Sequence, residues 1–262
     1  MNLDLKNKNA LVAGSSKGIG KATAIQLSKL GASVTLLARN RESLDQVLQE
    51  LDLSSDQKHQ VLVADFSNPN DLKKVINGHI REGNEYHILV NNTGGPSGGP
   101  IIEAKLTAFA NTFTQHLLCN QVLAQAVFQG MKDAGYGRII NVISTSVKQP
   151  INNLGVSNTI RGAVANWAKT LANEIGPFGI TVNNVLPGFT DTGRLKEIIE
   201  NKAIVTGNSK EQVVKTMERT VPLRRIAQPE EIANAISFLA TPAASYINGI
   251  NVPVDGGRTG NL

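Results

Sequence analysis

Gly14, Gly18 and Gly20 are the first residues whose type and spacing carry chemistry. They stand in Ala13-Gly14-Ser15-Ser16-Lys17-Gly18-Ile19-Gly20, between a short apolar run and a helical pattern. Gly14 permits a tight turn, and Gly18 lets backbone approach a phosphate with no side chain in the way. Gly20 lets the following helix pack closely on a sheet. The start of that helix offers N–H groups and a partial positive charge, so residues 14–20 suit a pyrophosphate. A second signal follows in Leu37-Ala38-Arg39-Asn40, nineteen positions from Gly20 to Arg39. A carboxylate there would bind the ribose diol of NAD(H). Arg39, with Lys17 in the glycine turn, instead favours a 2′-phosphate, hence NADP(H) over NAD(H).

The elements that must hold these residues alternate along the chain. Strands are expected at 10–13, 33–37, 60–64, 88–90, 138–143, 181–185 and 250–254, and helices at 19–30, 41–51, 108–131 and 158–175. Strand–helix alternation predicts a parallel sheet with helices on both faces. Right-handed crossovers make it a Rossmann-type, doubly wound α/β fold of seven strands, with ligands beyond the carboxyl ends of the strands. The chain reads as one domain over 1–262, with no internal repeat or linker. A polar stretch at about 193–220 interrupts the rhythm and is expected to be an inserted helical pair that covers substrate.

Composition excludes several classes. A chain of 262 residues buries enough surface to be stable without disulfide or metal. Cys119 is the single cysteine, so an intramolecular disulfide and a zinc site built on two thiolates are both excluded, and no metal site is expected. No apolar run approaches the ~20 residues of a membrane span, and Asn2, Asp4, Lys6 and Lys8 break up the start of the chain, which implies a cytoplasmic protein without a membrane partner. The net charge of +5 and pI of about 9.3 come from scattered cations. With aromatics at 4% there is no stacking platform, and nucleic acid is not an expected partner.

Several further motifs, spread over almost the whole chain, resemble the short-chain dehydrogenase/reductase family. Asn91-Asn92-Thr93-Gly94 looks like the family's Asn-Asn-Ala-Gly segment, and Val254-Asp255-Gly256-Gly257 resembles its C-terminal signature. Val221-Pro222-Leu223-Arg224-Arg225 and Pro229-Glu230-Glu231-Ile232-Ala233 resemble bacterial 3-oxoacyl-(acyl-carrier-protein) reductases. The resemblance implies that Asp65 and Phe66 flank the adenine and that Asn92 and Gly94 line the cofactor. It places Pro187, Gly188, Thr190 and Thr192 around the nicotinamide. It also implies a small carbonyl or alcohol substrate and a homodimer or homotetramer.

The family's catalytic Ser, Tyr and Lys, with an Asn on the long central helix, are only partly matched. The Ser is Ser144. Thirteen positions later stands Ser157 where the Tyr is usual, and Arg161 takes the Lys position, where it would also meet the nicotinamide ribose. His116 holds the usual Asn position, with Asn111 or Asn120 as neighbours if the register differs. No tyrosine is followed four residues later by Lys: the residues after Tyr86, Tyr136 and Tyr246 are Val90, Ile140 and Ile250. A phenol titrates near ~10 and can be brought lower by a cation, whereas a Ser hydroxyl is a far weaker acid and Arg stays protonated. Three accounts fit. One is a reductase in which Ser144 and Ser157 orient a carbonyl, Arg161 stabilises the oxyanion, and water or His116 supplies the proton. The second is a catalytically silent NADP(H)-binding sensor or scaffold, and the third a non-redox use of the pocket.

Overall fold

The computed structural model describes residues 1–261. Seven parallel strands form one sheet in the order β3-β2-β1-β4-β5-β6-β7. The strands are β1 (Asn9–Ala13), β2 (Ser33–Ala38), β3 (Gln60–Val63), β4 (Ile88–Asn91), β5 (Gly137–Val142), β6 (Ile180–Pro187) and β7 (Asn251–Val254). The inner strands are buried on both sides, as their near-continuous Val, Ile and Leu runs require of a sheet covered on both faces. One face packs on α1 (Gly18–Lys29), α2 (Arg41–Leu48) and α9 (Pro229–Ala240), through Leu27, Leu44, Val47, Ile232 and Ile236. The other packs on α3 (Pro69–Arg81), α5 (Cys119–Asp133) and α6 (Gly155–Ile175), through Leu72, Ile76, Leu123, Val127, Ala168 and Ala172. The doubly wound fold expected from the alternation is the fold observed.

One difference has a physical cause. The single helix expected over 108–131 is α4 (Leu106–Phe113), a π turn at Thr114–Leu118, and α5. A π turn widens the backbone ladder and re-aims the side chain within it, here His116. The inserted stretch is the expected helical pair, α7 (Gly193–Thr206) and α8 (Lys210–Arg219), joined by a capping box at Ser209 and Gln212.

A buried chain of asparagine amides ties four strands together. Asn91 donates to Asn141 at 2.8 Å, Asn141 to Asn184 at 2.9 Å, and Asn184 to Asn251 at 2.8 Å, each pair facing across register-matched positions of β4, β5, β6 and β7. A one-residue slip of any of these strands would strand a buried amide, so the ladder fixes register close to the carboxyl edge.

Candidate active site

Every strand of interest ends at one edge of the sheet. β1 delivers the glycine turn, β2 Arg39, β3 Asp65, β4 Asn92, β5 Ser144 and β6 Pro187. The order of strands reverses between β1 and β4, which opens a crevice there.

The glycine turn is held by its neighbours. Gly14 and Gly18 adopt φ of +62° and +57°, values that side chains disfavour. The buried hydroxyl of Ser15 accepts from the Leu37 amide at 3.0 Å, tying the turn to the end of β2. Asn92 donates its side-chain amide to the Gly14 carbonyl at 3.2 Å, across the crevice between β1 and β4. Asn92 therefore clamps the turn. Ser16 and Ile19 are half-buried, and Lys17 stands exposed at the N-cap of α1 without capping it. The helices α2 and α3 are capped by Asn40 and Asn68, and carry Glu42 and Asp71 in their first turns. The first turn of α1 has neither a cap nor an acidic residue. Its leading amides are free donors at the base of a Cβ-free turn, an arrangement that fits a pyrophosphate. Arg39 is exposed at the end of β2 and makes no ion pair or hydrogen bond among the described residues. Asp65 is exposed and accepts from the Ser67 amide at 2.9 Å, while Phe66 packs on the lower core and its carbonyl accepts from the buried Cys119 thiol at 3.2 Å. Gly188 donates to Val254 at 2.9 Å, and Thr192 caps α7 opposite Gly18. Thr190 is buried and donates to the Gly188 carbonyl at 3.2 Å.

Ser157 and Arg161 lie one turn apart on α6, and the Arg161 Nε donates to the Ser157 hydroxyl at 3.2 Å. The same guanidinium reaches the end of β5, where Nη1 donates to the carbonyls of Val142 at 3.2 Å and Ile143 at 3.0 Å. The next residue is Ser144, whose hydroxyl accepts from the Ser146 amide at 3.1 Å and keeps its own proton free to donate. The guanidinium thus links Ser157 to the backbone immediately before Ser144. Arg161 is only 8% exposed. Burial, and then the charge of Arg194, pull its pKa down to about 10, which leaves it a cation at neutral pH.

His116 joins the same cluster from the π turn. Its Nε2 donates to the Gly94 carbonyl at 3.0 Å, so Nδ1 accepts from the Thr93 hydroxyl at 2.7 Å. Burial, and then the charge of Arg161, push its pKa down to about 3. A neutral ring with both nitrogens engaged is not a proton source near pH 7, contrary to the acid role that the sequence allows it. Asn120, the alternative on the same helix, is buried, while Asn111 is exposed. The shift has a consequence for stability. Unfolded His116 titrates near ~6.5, so its stabilising contribution is complete above that pH and is lost as pH falls towards about 3. Thermal unfolding at pH 7 and pH 5 is expected to show the wild type losing about 2 kcal/mol more than His116→Gln. Equal losses would mean that His116 is not buried as a neutral ring.

No cluster of three or more His, Cys, Asp or Glu side chains among the described residues could hold a metal ion. No helix among them is long and apolar enough to cross a membrane.

A family model described as enoyl-(acyl carrier protein) reductase matches residues 13–259. The chain belongs to the short-chain dehydrogenase/reductase family. It is 32% identical over 258 residues to the 3-oxoacyl-[acyl-carrier-protein] reductase of Pseudomonas aeruginosa, covering 97% of this chain and 98% of that one. It is 34% identical over 257 residues to the corresponding reductase of Vibrio cholerae, with the same coverage. Among solved structures, L-sorbose reductase from Gluconobacter frateurii, complexed with NADPH and L-sorbose, superposes over the whole of both chains with a TM-score of 0.92 at 28% identity. The short-chain dehydrogenase/reductase fold accounts for the sheet order and for the crevice above β1 and β4.

Proposed function

We propose that this protein is an NADP(H)-dependent reductase of a ketone or 3-oxoacyl-type carbonyl whose active site lacks the family's phenolic acid. The observation that carries this reading is the Arg161 cluster: a buried cation bridging Ser157 to the residue before Ser144, at the strand edge that also carries the glycine turn. The NADPH named for the L-sorbose reductase structure supports the cofactor, as does the exposed, unpaired Arg39. Residues 14–20 hold the pyrophosphate, Arg39 and Lys17 the 2′-phosphate, Asp65 and Phe66 the adenine side. Gly94, Pro187, Gly188, Thr190 and Thr192 line the nicotinamide side, with Asn92 supporting the turn.

When bound, NADPH supplies the hydride that adds to the carbonyl carbon, and the oxygen takes the displaced electron pair and then a proton from solvent. Ser144 and Ser157 orient that oxygen, and Arg161 stabilises its charge in a site where water is displaced. Losing a general acid costs typically ~10²–10⁴-fold, so slow turnover is expected from a proton delivered by water. His116 positions Thr93 and Gly94 rather than giving up a proton. The pair α7–α8 covers the substrate. A homodimer or homotetramer completes the reading, with exposed Leu106, Phe113 and Leu118 as apolar surface on the α4–α5 stretch.

The test is NADPH binding followed by fluorescence and NADPH oxidation against ketones, aldehydes and 3-oxoacyl thioesters. Turnover that Ser144→Ala removes supports the reductase. Tight NADPH binding with no turnover favours a sensor or scaffold. Arg39→Asp is expected to shift preference from NADPH towards NADH by about 10- to 100-fold, the worth of one charge-assisted contact. An unchanged ratio would remove Arg39 from the 2′-phosphate site.

A further inference from the structure

A buried charge without a counter-charge is costly, and such a cation is held in place by carbonyl dipoles or by a ligand. Arg161 is that case. Its Nε and Nη1 are taken by Ser157, Val142 and Ile143, all neutral, and Nη2 makes no hydrogen bond. No carboxylate pairs with it among the described residues. A Cβ added to Gly95 would lie 3.3 Å from Nη2, a tight contact that places the loop after β4 directly beside the guanidinium.

A second cation faces the same loop. Arg194, in the first turn of α7, donates to the Pro96 carbonyl and pairs with the exposed Glu197 at 3.3 Å. Two guanidinium groups thus flank Gly94-Gly95-Pro96, and the charge of Arg194 is felt at Arg161. A cavity of about 470 Å³ is lined by Thr145, the residue after Ser144, and has Arg258 as its one charged lining residue. No acidic side chain lines that cavity.

Resting on the reductase reading above, we infer that the substrate is an anion: a short oxo acid whose carboxylate lies within one or two carbons of the reacting carbonyl, bound between Arg161 Nη2 and Arg194. The spacing follows from Arg161 itself. One guanidinium touches the serine that orients the carbonyl and still presents a free N–H pair, so carbonyl oxygen and carboxylate must be near neighbours. A planar guanidinium whose other nitrogens are held by Ser157, Val142 and Ile143 presents the two diverging N–H groups of Nη2 in fixed directions, as a rotating ammonium would not. The pair of residues that departs from the family pattern therefore does two things: Ser157 in the Tyr position removes the ordinary acid, and Arg161 in the Lys position adds an anion receptor.

The experiment uses the NADPH complex of the full chain. Oxamate, an unreactive 2-oxo acid mimic, is titrated in and read by NADPH fluorescence. Arg194→Gln is expected to weaken oxamate binding about 10- to 100-fold without changing NADPH affinity, and Arg194→Lys to restore part of it. In turnover, 2-oxo and 3-oxo acids are expected to exceed their methyl esters, and Arg194→Gln to lower that preference by at least ~10-fold. Oxamate binding that is absent or indifferent to Arg194 overturns the proposal. Esters reduced as well as acids overturn it too, and leave the reductase reading standing. Arg194-dependent oxamate binding with no carbonyl reduced supports the anion site and overturns the reductase reading instead.

Discussion

Gly20→Val is expected to bind NADPH at least ~100-fold more weakly than the wild type, the loss of two charge-assisted hydrogen bonds to phosphate. A Cβ at this position would overlap the Gly14 carbonyl oxygen and stand 2.7 Å from the Asn92 amide nitrogen. Neither neighbour can withdraw. Gly14 already occupies a left-handed conformation, and its carbonyl is one partner of the Asn92 clamp. The turn itself is tied to β2 through Ser15. Relief has to come from the first turn of α1, which must lift away from the strand and carry its free amides with it. Overpacking of this kind also costs about 1–3 kcal/mol of stability, so thermal unfolding accompanies the fluorescence titration. Gly78→Ala is the control. It lies within α3 with nothing near its added Cβ, and is expected to gain about 0.5–1 kcal/mol and to bind NADPH as before. Undiminished NADPH binding in a folded Gly20→Val protein would place the pyrophosphate elsewhere.

The parts of this molecule that local chemistry governs were legible in the sequence. The glycine turn announces itself because three glycines must fit one tight backbone path, and the strands because inner parallel strands are apolar without interruption. Helices α3 and α9 carry weaker signals. The former opens with Pro69, Asn70 and Asp71, residues shared by loops and helix starts, and buries only Leu72 and Ile76. Arg161 was identified by position alone. Its burial is nonetheless written in α6, where Ile160, Val164, Ala165, Ala168 and Ala172 form the buried stripe that contains it. Non-local pairings left no trace. The asparagine ladder joins residues up to 67 positions apart, and nothing in the sequence around His116 marks a π turn or the Thr93 and Gly94 contacts that consume both its nitrogens. Its candidacy as an acid, beside water, rested on reference chemistry, and burial with both nitrogens engaged argues against it.

The double variant Ser157→Tyr, Arg161→Lys tests what the altered cluster does to the chemistry. With a neutral ketone, kcat is expected to rise by about 10²–10⁴-fold, the usual worth of a general acid. In the wild type, Ser157 offers a hydroxyl too weakly acidic to protonate an alkoxide, and the charge that Arg161 keeps at neutral pH can stabilise that alkoxide but not discharge it. A phenol at 157 beside an ammonium at 161 supplies a group that can do both, since a neighbouring cation brings its pKa towards neutrality. The pH profile is the second signature. Reduction by the double variant should decline as pH rises through the phenol's apparent pKa, because the protonated form is the acid, while the wild type should show no such limb. Ser157→Tyr alone keeps the guanidinium and its bonds to Val142 and Ile143, so it separates the gain of an acid from the loss of those contacts. For an oxo acid the balance runs the other way, because the planar receptor at 161 is gone. A variant that gains on ketones and loses on oxo acids would mean that one pair of residues trades proton delivery for anion binding. A variant that gains on neither, though folded and NADPH-bound, would mean that proton delivery does not limit this site.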